Sequence, residues 1–261
     1  MIATDPLVSA FEAAVEAQGG KVVARDADDC AQVIIGDWSA SVYLGNLRRR
    51  VDAGEPLEAA VAHFVRVLAL PRGPITDAGT LRAGLRLLLE RREVLDPPVV
   101  HRDLSREIAL VLAWTDPDET SVRLLTWDDL AGCSLQREDA WAVAGRQMDA
   151  LLSETPIEVD QVAGSPIAML ATESVFKASL IAAPSLREHA EPLVGWPLMA
   201  VVPCRDFAYL LPDGASELVG RLGSVVLREF NESPYPLSPE VFRISNEGIE
   251  AIGTFGDSAE A

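Results

Sequence analysis

Histidine and cysteine, the side chains that most often build metal centres and nucleophilic sites, are scarce in this chain: three of each in 261 residues. His63, His101 and His189 share no metal-ligand spacing. Cys30, Cys133 and Cys204 are an odd number spread over the whole length, which argues against a disulfide framework and a zinc knuckle. Free thiols, no metal and no cofactor are the expectation. Long apolar runs are missing too. No stretch approaches the roughly 20 residues that cross a bilayer, and the N-terminus lacks the basic start and apolar segment of a signal peptide, so the sequence reads as cytoplasmic.

Positive charge is the other shortage. The chain carries 22 Lys and Arg against 40 Asp and Glu, a formal charge of −18. The imbalance is uneven: residues 1–100 hold 11 basic and 14 acidic side chains, residues 101–261 hold 11 and 26. Such a field repels phosphate backbones and anionic lipid, which argues against nucleic-acid and membrane-surface binding, and it attracts a basic protein. Composition is otherwise that of a globular protein, 49% hydrophobic and 24% charged.

Asp5 and Pro6 suit the start of a first helix with Leu7, Phe11 and Val15 on one face, ended by Gly19-Gly20. Residues 21–25 and 32–35 read as a hairpin around the acidic turn of Asp26, Asp28 and Asp29, and two helical patterns follow, the second opening at Pro56. The period of residues 81–95 favours an amphipathic helix, although Leu87-Leu88-Leu89 also suits a strand. Asp96-Pro97-Pro98 then marks a boundary between two lobes.

Beyond it, residues 107–114 and 120–125 flank a turn and predict an antiparallel hairpin. Thr126 and Asp129 form a capping-box pattern for a short helix, and Ser134 suits the cap of a longer one carrying Trp141, Met148 and Leu152. Strand pairs are expected at 157–161 with 167–170 and at 198–202 with 207–211, helices at 173–181, 185–194 and 218–230, and a last strand at 241–244 before an acidic tail. Pro203 should break its strand and expose Cys204, Arg205 and Asp206. Strands arriving in adjacent pairs with helices between them predict an α+β fold, antiparallel hairpins alternating with helices in two packed lobes. The divisions are a helix-hairpin-helix lobe at 1–95, an α+β lobe at 96–250 and the tail at 251–261.

Two look-alike passages stand out, His101-Arg102-Asp103-Leu104 and Cys204-Arg205-Asp206-Phe207, each leading into an apolar run. The first invites comparison with the protein-kinase catalytic loop, but Ile108 stands where that loop has a metal-binding asparagine, and no Gly-rich phosphate loop or Asp-Phe-Gly triplet accompanies it. Cross-strand and surface ion pairs account for it. Cys204 needs a histidine, His101 or His189, to act as a nucleophile, and nothing local supplies one. The acidic groups Asp116-Pro117-Asp118-Glu119 and Asp128-Asp129 lack a calcium-loop pattern and read as turn and cap chemistry. No catalytic residue is assigned.

Taken together, Val42-Tyr43-Leu44-Gly45-Asn46-Leu47-Arg48, His101 to Leu130, Val201-Val202-Pro203-Cys204-Arg205-Asp206-Phe207 and Tyr235-Pro236-Leu237-Ser238-Pro239-Glu240-Val241-Phe242 resemble the bacterial YtpQ family, over about residues 5–250. That family is uncharacterised. The resemblance implies a bacterial cytoplasmic protein and supplies no catalytic residues; Arg205-Asp206 belongs to the pattern and a cysteine at 204 does not. Two functions follow. The leading one is a non-catalytic module that binds a basic protein through its acidic C-terminal lobe. The alternative is a small-ligand binder or enzyme with an anion site in a cleft where Arg102, Asp103, Arg205 and Asp206 converge.

Overall fold

The structure is a computed structural model that describes residues 5–25, 30–36, 38–52, 54–68, 75–95, 98–117, 119, 121–162, 164–233 and 235–256. The fold is α+β with antiparallel sheets, and the chain divides into two compact units, Met1–Gly73 and Pro74–Ala261.

In the first unit, α1 (Pro6–Ala17) starts where the sequence places it: the Asp5 carboxylate accepts from the Leu7 N–H at 2.9 Å. Strands β1 (Gly20–Arg25), β2 (Cys30–Ile35) and β3 (Trp38–Tyr43) form one antiparallel sheet in that order, followed by α2 (Gly45–Asp52) and α3 (Leu57–Leu68). Val8, Phe11, Val33, Leu44, Leu47 and Val65 make its core. The strand β3 is an addition to the expected hairpin. The acidic turn of Asp26, Asp28 and Asp29 lies outside the described residues.

The second unit opens with α4 (Ala78–Gly84), capped by Asp77, and passes directly into β4 (Leu85–Arg91) and a single 3₁₀ turn, Arg92–Val94. The helix expected over 81–95 is therefore confined to its first part. Leu85, Leu87, Leu88 and Leu89 are all buried, so β4 is covered on both faces and its leucine run carries no period of two to betray a strand. Gly84 sits at the junction because a Cβ there would lie 2.3 Å from the Thr115 carbonyl oxygen and the Trp114 Nε1.

A four-stranded sheet follows. The strand β4 pairs along its length with β6 (Ile108–Thr115), which pairs in turn with β5 (His101–Asp103) and β7 (Val122–Leu124). This pairing crosses the segment proposed as the lobe boundary, and the division between units falls before Pro74 instead. Asp96 and Pro97 themselves lie outside the described residues. A capping box starts α5 (Trp127–Gly132), as expected from Thr126 and Asp129. The long α6 (Arg137–Glu154) packs on β4, but its N-cap is Gln136; Ser134 instead takes a left-handed φ of 50° in the turn between the helices.

The remaining strands form a six-stranded sheet in the order β13-β12-β10-β11-β9-β8, built from β8 (Ile157–Val162), β9 (Ser165–Leu170), β10 (Leu198–Cys204), β11 (Phe207–Pro212), β12 (Glu240–Ser245) and β13 (Gly248–Thr254). Side-chain alternation splits its residues cleanly. Ile167, Met199, Val201, Tyr209, Leu211 and Val241 pack with Leu218, Leu222 and Val226 of α8 (Ser216–Glu232), whereas Ala168, Leu198, Ala200, Leu210 and Phe242 face the main core. That core includes a six-residue 3₁₀ segment, Lys177–Ala182, where a helix over 173–181 was expected, and α7 (Leu186–Val194). Part of the expected acidic tail is the strand β13; residues 257–261 lie outside the described set.

Candidate functional site

The two Arg-Asp passages are built differently. His101-Arg102-Asp103 is the strand β5 itself, so its successive side chains leave opposite faces of the sheet. Arg102 lies over the Trp141 ring of α6, with its guanidinium carbon 4.2 Å from the ring centroid. This is cation–π geometry, and the ring beneath is only 6% exposed. Asp103 points the other way and forms an ion pair with Arg92 Nε at 3.1 Å; His101 Nε2 lies 3.6 Å from the same oxygen. The Asp103 and Arg92 side chains are each about half exposed, so this is a surface pair of modest worth, at most about 1 kcal/mol.

Arg205-Asp206, by contrast, forms the two-residue turn between β10 and β11, with Cys204 paired to Phe207. Arg205 ties three segments together. Its guanidinium donates to Glu90 of β4 and lies 5.0 Å from the Tyr235 ring; its N–H donates to the Tyr235 carbonyl, and its own carbonyl accepts from the Ala178 N–H. Glu90 is 8% exposed. A carboxylate so far out of water needs a charged partner, and Arg205 reaches across from the other sheet to supply it. Beside it, the buried edge of β4 is satisfied by Ser179, whose hydroxyl accepts from the Leu89 N–H at 2.8 Å.

The four residues thus do not gather in one cleft. In the strand register, Glu90, Ala109 and Asp103 occupy one row across the four-stranded sheet, which sets Asp103 about 10 Å, two strand spacings, from the strand that Arg205 engages. Arg102 is on the reverse face against α6. Asp206 is half buried and lines a different feature, a cavity of about 330 Å³ at one end of the six-stranded sheet, with Glu158, Glu173, Lys177 and Phe207. A second cavity of about 390 Å³ lies beside Ser105, Arg106, Glu240 and Glu250. There the Glu240 carboxylate is taken up by the Ser105 and Ser238 hydroxyls at 2.7 and 2.9 Å.

Cys204 is 1% exposed, not uncovered by Pro203 as the sequence suggests. The pairing of β10 to β12 ends at Val201 and its register to β11 shifts there, so the proline sits where its missing N–H costs no ladder bond. The segment around Tyr235 to Ser238 then closes over it, with Leu237 and Ser238 donating to the Pro203 and Val202 carbonyls. Burial pushes the Cys204 thiol up from its ordinary range, and the charged and polar side chains acting on it are Asp206, Ser233 and Glu229, none of them a histidine. Cys133 is raised by burial as well and donates to the Ile75 carbonyl at 2.9 Å. Neither thiol has the depressed pKa of a nucleophile. With iodoacetamide at pH 8, peptide mapping is expected to find both unmodified in the folded chain and modified after denaturation; rapid labelling of Cys204 in the native state would contradict this assignment.

The described members of the acidic groups at 116–119 and 128–129 also resolve into local structure; Asp118 lies outside the described residues. The Asp116 carboxylate accepts from the Ser121 N–H and hydroxyl, and Glu119, at a left-handed φ of 50°, accepts from the Ser174 hydroxyl at 2.7 Å. Asp129 is 2% exposed and takes hydrogen bonds from Thr126 and Arg123. Among the described residues no group of three or more His, Cys, Asp or Glu is placed to hold a metal ion, and no helix is long and apolar enough to cross a membrane.

Compared with models of known protein families, with curated proteins and with solved structures, the chain gives no match.

Proposed function

We propose that this is a non-catalytic α+β protein that acts by binding a basic protein through the acidic surface of its second unit. One observation carries the reading. Residues 74–261 hold 30 acidic and 15 basic side chains, and eight of those basic side chains, Arg91, Arg92, Arg123, Arg187, Arg205, Arg221, Arg228 and Arg243, are already engaged in ion pairs within the chain. The remaining carboxylates, among them the exposed Glu138, Asp139, Glu158 and Asp160, set the sign of the field that an approaching partner meets.

The burial of the Cys133 and Cys204 thiols supports a binder over an enzyme, as does the separation of the Arg-Asp passages. A place in the YtpQ family is part of the same proposal and rests on the segments quoted above. The test is capture by the immobilised chain from bacterial lysate at about 50 mM and about 500 mM salt, a span across which the Debye length shrinks severalfold. A basic protein held at low salt and released at high salt is the expected outcome. Retention of no protein at low salt would refute the reading.

A further inference from the structure

We propose that β8 is a docking edge for an extended basic segment of the partner, one whose Lys or Arg side chains recur at every second residue. This deepens the acidic-surface reading and rests on it. The strand β8 is the outermost member of the six-stranded sheet, and its six pairs with β9 run without a bulge. The Ala171 N–H donates to the Pro156 carbonyl, which fixes the phase of the ladder: Glu158, Asp160 and Val162 bond to β9, and the peptide groups of Ile157, Val159 and Gln161 face outward. The Gln161 N–H is taken by the Asp160 carboxylate at 2.7 Å, which leaves the peptide edges of Ile157 and Val159 as the template for an added strand.

The opposite edge of the sheet is protected. Between Val241 and Phe242 the register of β12 against β13 shifts, and Ile252 is the extra residue. Such a bulge twists an edge away from pairing, and β8 has none.

Charge names the occupant. Glu158 and Asp160 lie opposite Met169 and Ile167, on the sheet face that α8 covers, and both are exposed. A strand laid beside β8 places alternate residues next to them, so a Lys or Arg at positions two apart meets both carboxylates. Between these, a residue on the reverse face meets Val159, which is 44% exposed. At the end of the strand, the 330 Å³ cavity is lined by three carboxylates, Glu158, Glu173 and Asp206, against one cation, Lys177, and the ring of Phe207, 36% exposed and stacked on Tyr209 at 6.0 Å, offers an apolar rest for a cationic stem. A second copy of the chain is a poor occupant, because antiparallel pairing of β8 with itself about Val159 sets Glu158 against Asp160.

The test uses the full chain and two synthetic peptides of one composition, Lys-Val-Lys-Val-Lys-Val and Lys-Lys-Lys-Val-Val-Val, with binding read by fluorescence anisotropy. The alternating peptide is expected to bind more tightly, and the double variant Glu158→Gln, Asp160→Asn to weaken it by about three- to tenfold. Val159→Pro, which removes one outward N–H, is expected to cost about fivefold. Should Val159→Pro fail to fold, charge reversal by Glu158→Lys with Asp160→Lys stands in its place and abolishes the preference. Equal binding of the two peptides, unchanged by these variants, would overturn the docking edge while leaving the acidic-surface reading intact. A concentration-dependent dimer lost in Val159→Pro would assign the edge to a second copy and overturn the proposal. Loss of all basic capture in the lysate experiment would refute the reading beneath it.

Discussion

Replacement of Asp129 by alanine is expected to lower the stability of the second unit by about 3 kcal/mol, the lower end of the 3–5 kcal/mol range for breaking a buried pair. Asp129 is 2% exposed, and its carboxylate does three things at once. One oxygen accepts from the Thr126 N–H at 2.9 Å and from the Thr126 hydroxyl at 2.8 Å, closing the capping box of α5. The other accepts from the Arg123 guanidinium of β7, binding the end of the four-stranded sheet to the helix that follows. Removing the carboxylate takes away the cap, worth about 1 kcal/mol, and breaks the ion pair with Arg123. Arg123 keeps 28% of its side chain exposed, so water recovers part of the loss, which sets the value at the lower end. In urea denaturation the midpoint should fall accordingly, with a drop in Tm of roughly 10 °C. Asp129→Asn keeps a capping oxygen and should lose about half as much. A change below about 1 kcal/mol for the alanine variant would show that the pair is not structural.

The second large effect concerns Glu90 and Arg205. Arg205→Met strands a carboxylate that is 8% exposed and should cost about 3 kcal/mol; Glu90→Met leaves a guanidinium whose side chain is 25% exposed and should cost less. The double variant replaces both charges with apolar side chains and should be more stable than Arg205→Met alone, because no uncompensated charge remains inside. Double-mutant analysis by chemical denaturation measures this. Additive losses would mean that the two side chains do not depend on one another, and the assignment of Arg205 as a strut between two sheets would fail.

These residues illustrate which parts of the molecule could be read in the sequence. The cap at Asp5, the box at Thr126 and Asp129, and the hairpins of β6 with β7 and of β8 with β9 are decided within a few residues by backbone hydrogen bonding and apolar alternation, and they stand where expected. Elements fixed by distant partners were less visible. The strand β4 is a leucine run whose identity depends on pairing with β6, some twenty residues downstream, and on cover from α6. Small residues, Ser39, Ala40 and Ser41, hide β3, and two glycines and a bulge blur β13, although Ile249 and Ala251 do alternate toward the core.

The candidate site misled in an instructive way. Arg-Asp at 102 and 103 and Arg-Asp at 205 and 206 look alike as text, yet one lies in a strand, where neighbours diverge to opposite faces, and the other in a turn. The strand period alone separates Arg102 from Asp103. The true partners, Trp141 for Arg102 and Glu90 for Arg205, are 39 and 115 residues away in sequence, and no local signal points to them. The acidic imbalance was legible from the start, since charge counts need no fold, but the outward edge of β8 requires the order of the sheet.

The chain works either through its acidic surface or through the arginines of the two passages. Arg102→Ala separates them, because this side chain covers Trp141 from outside and its loss should cost only about 1 kcal/mol of stability. The decisive measurement is mass-spectrometric identification of everything, protein and small molecule, retained from bacterial lysate by the wild type and by Arg102→Ala at low and at high salt. The prediction is a basic protein bound equally by both and released by salt. A small anion held by the wild type, unaffected by the absence of protein and lost in Arg102→Ala, would contradict the account.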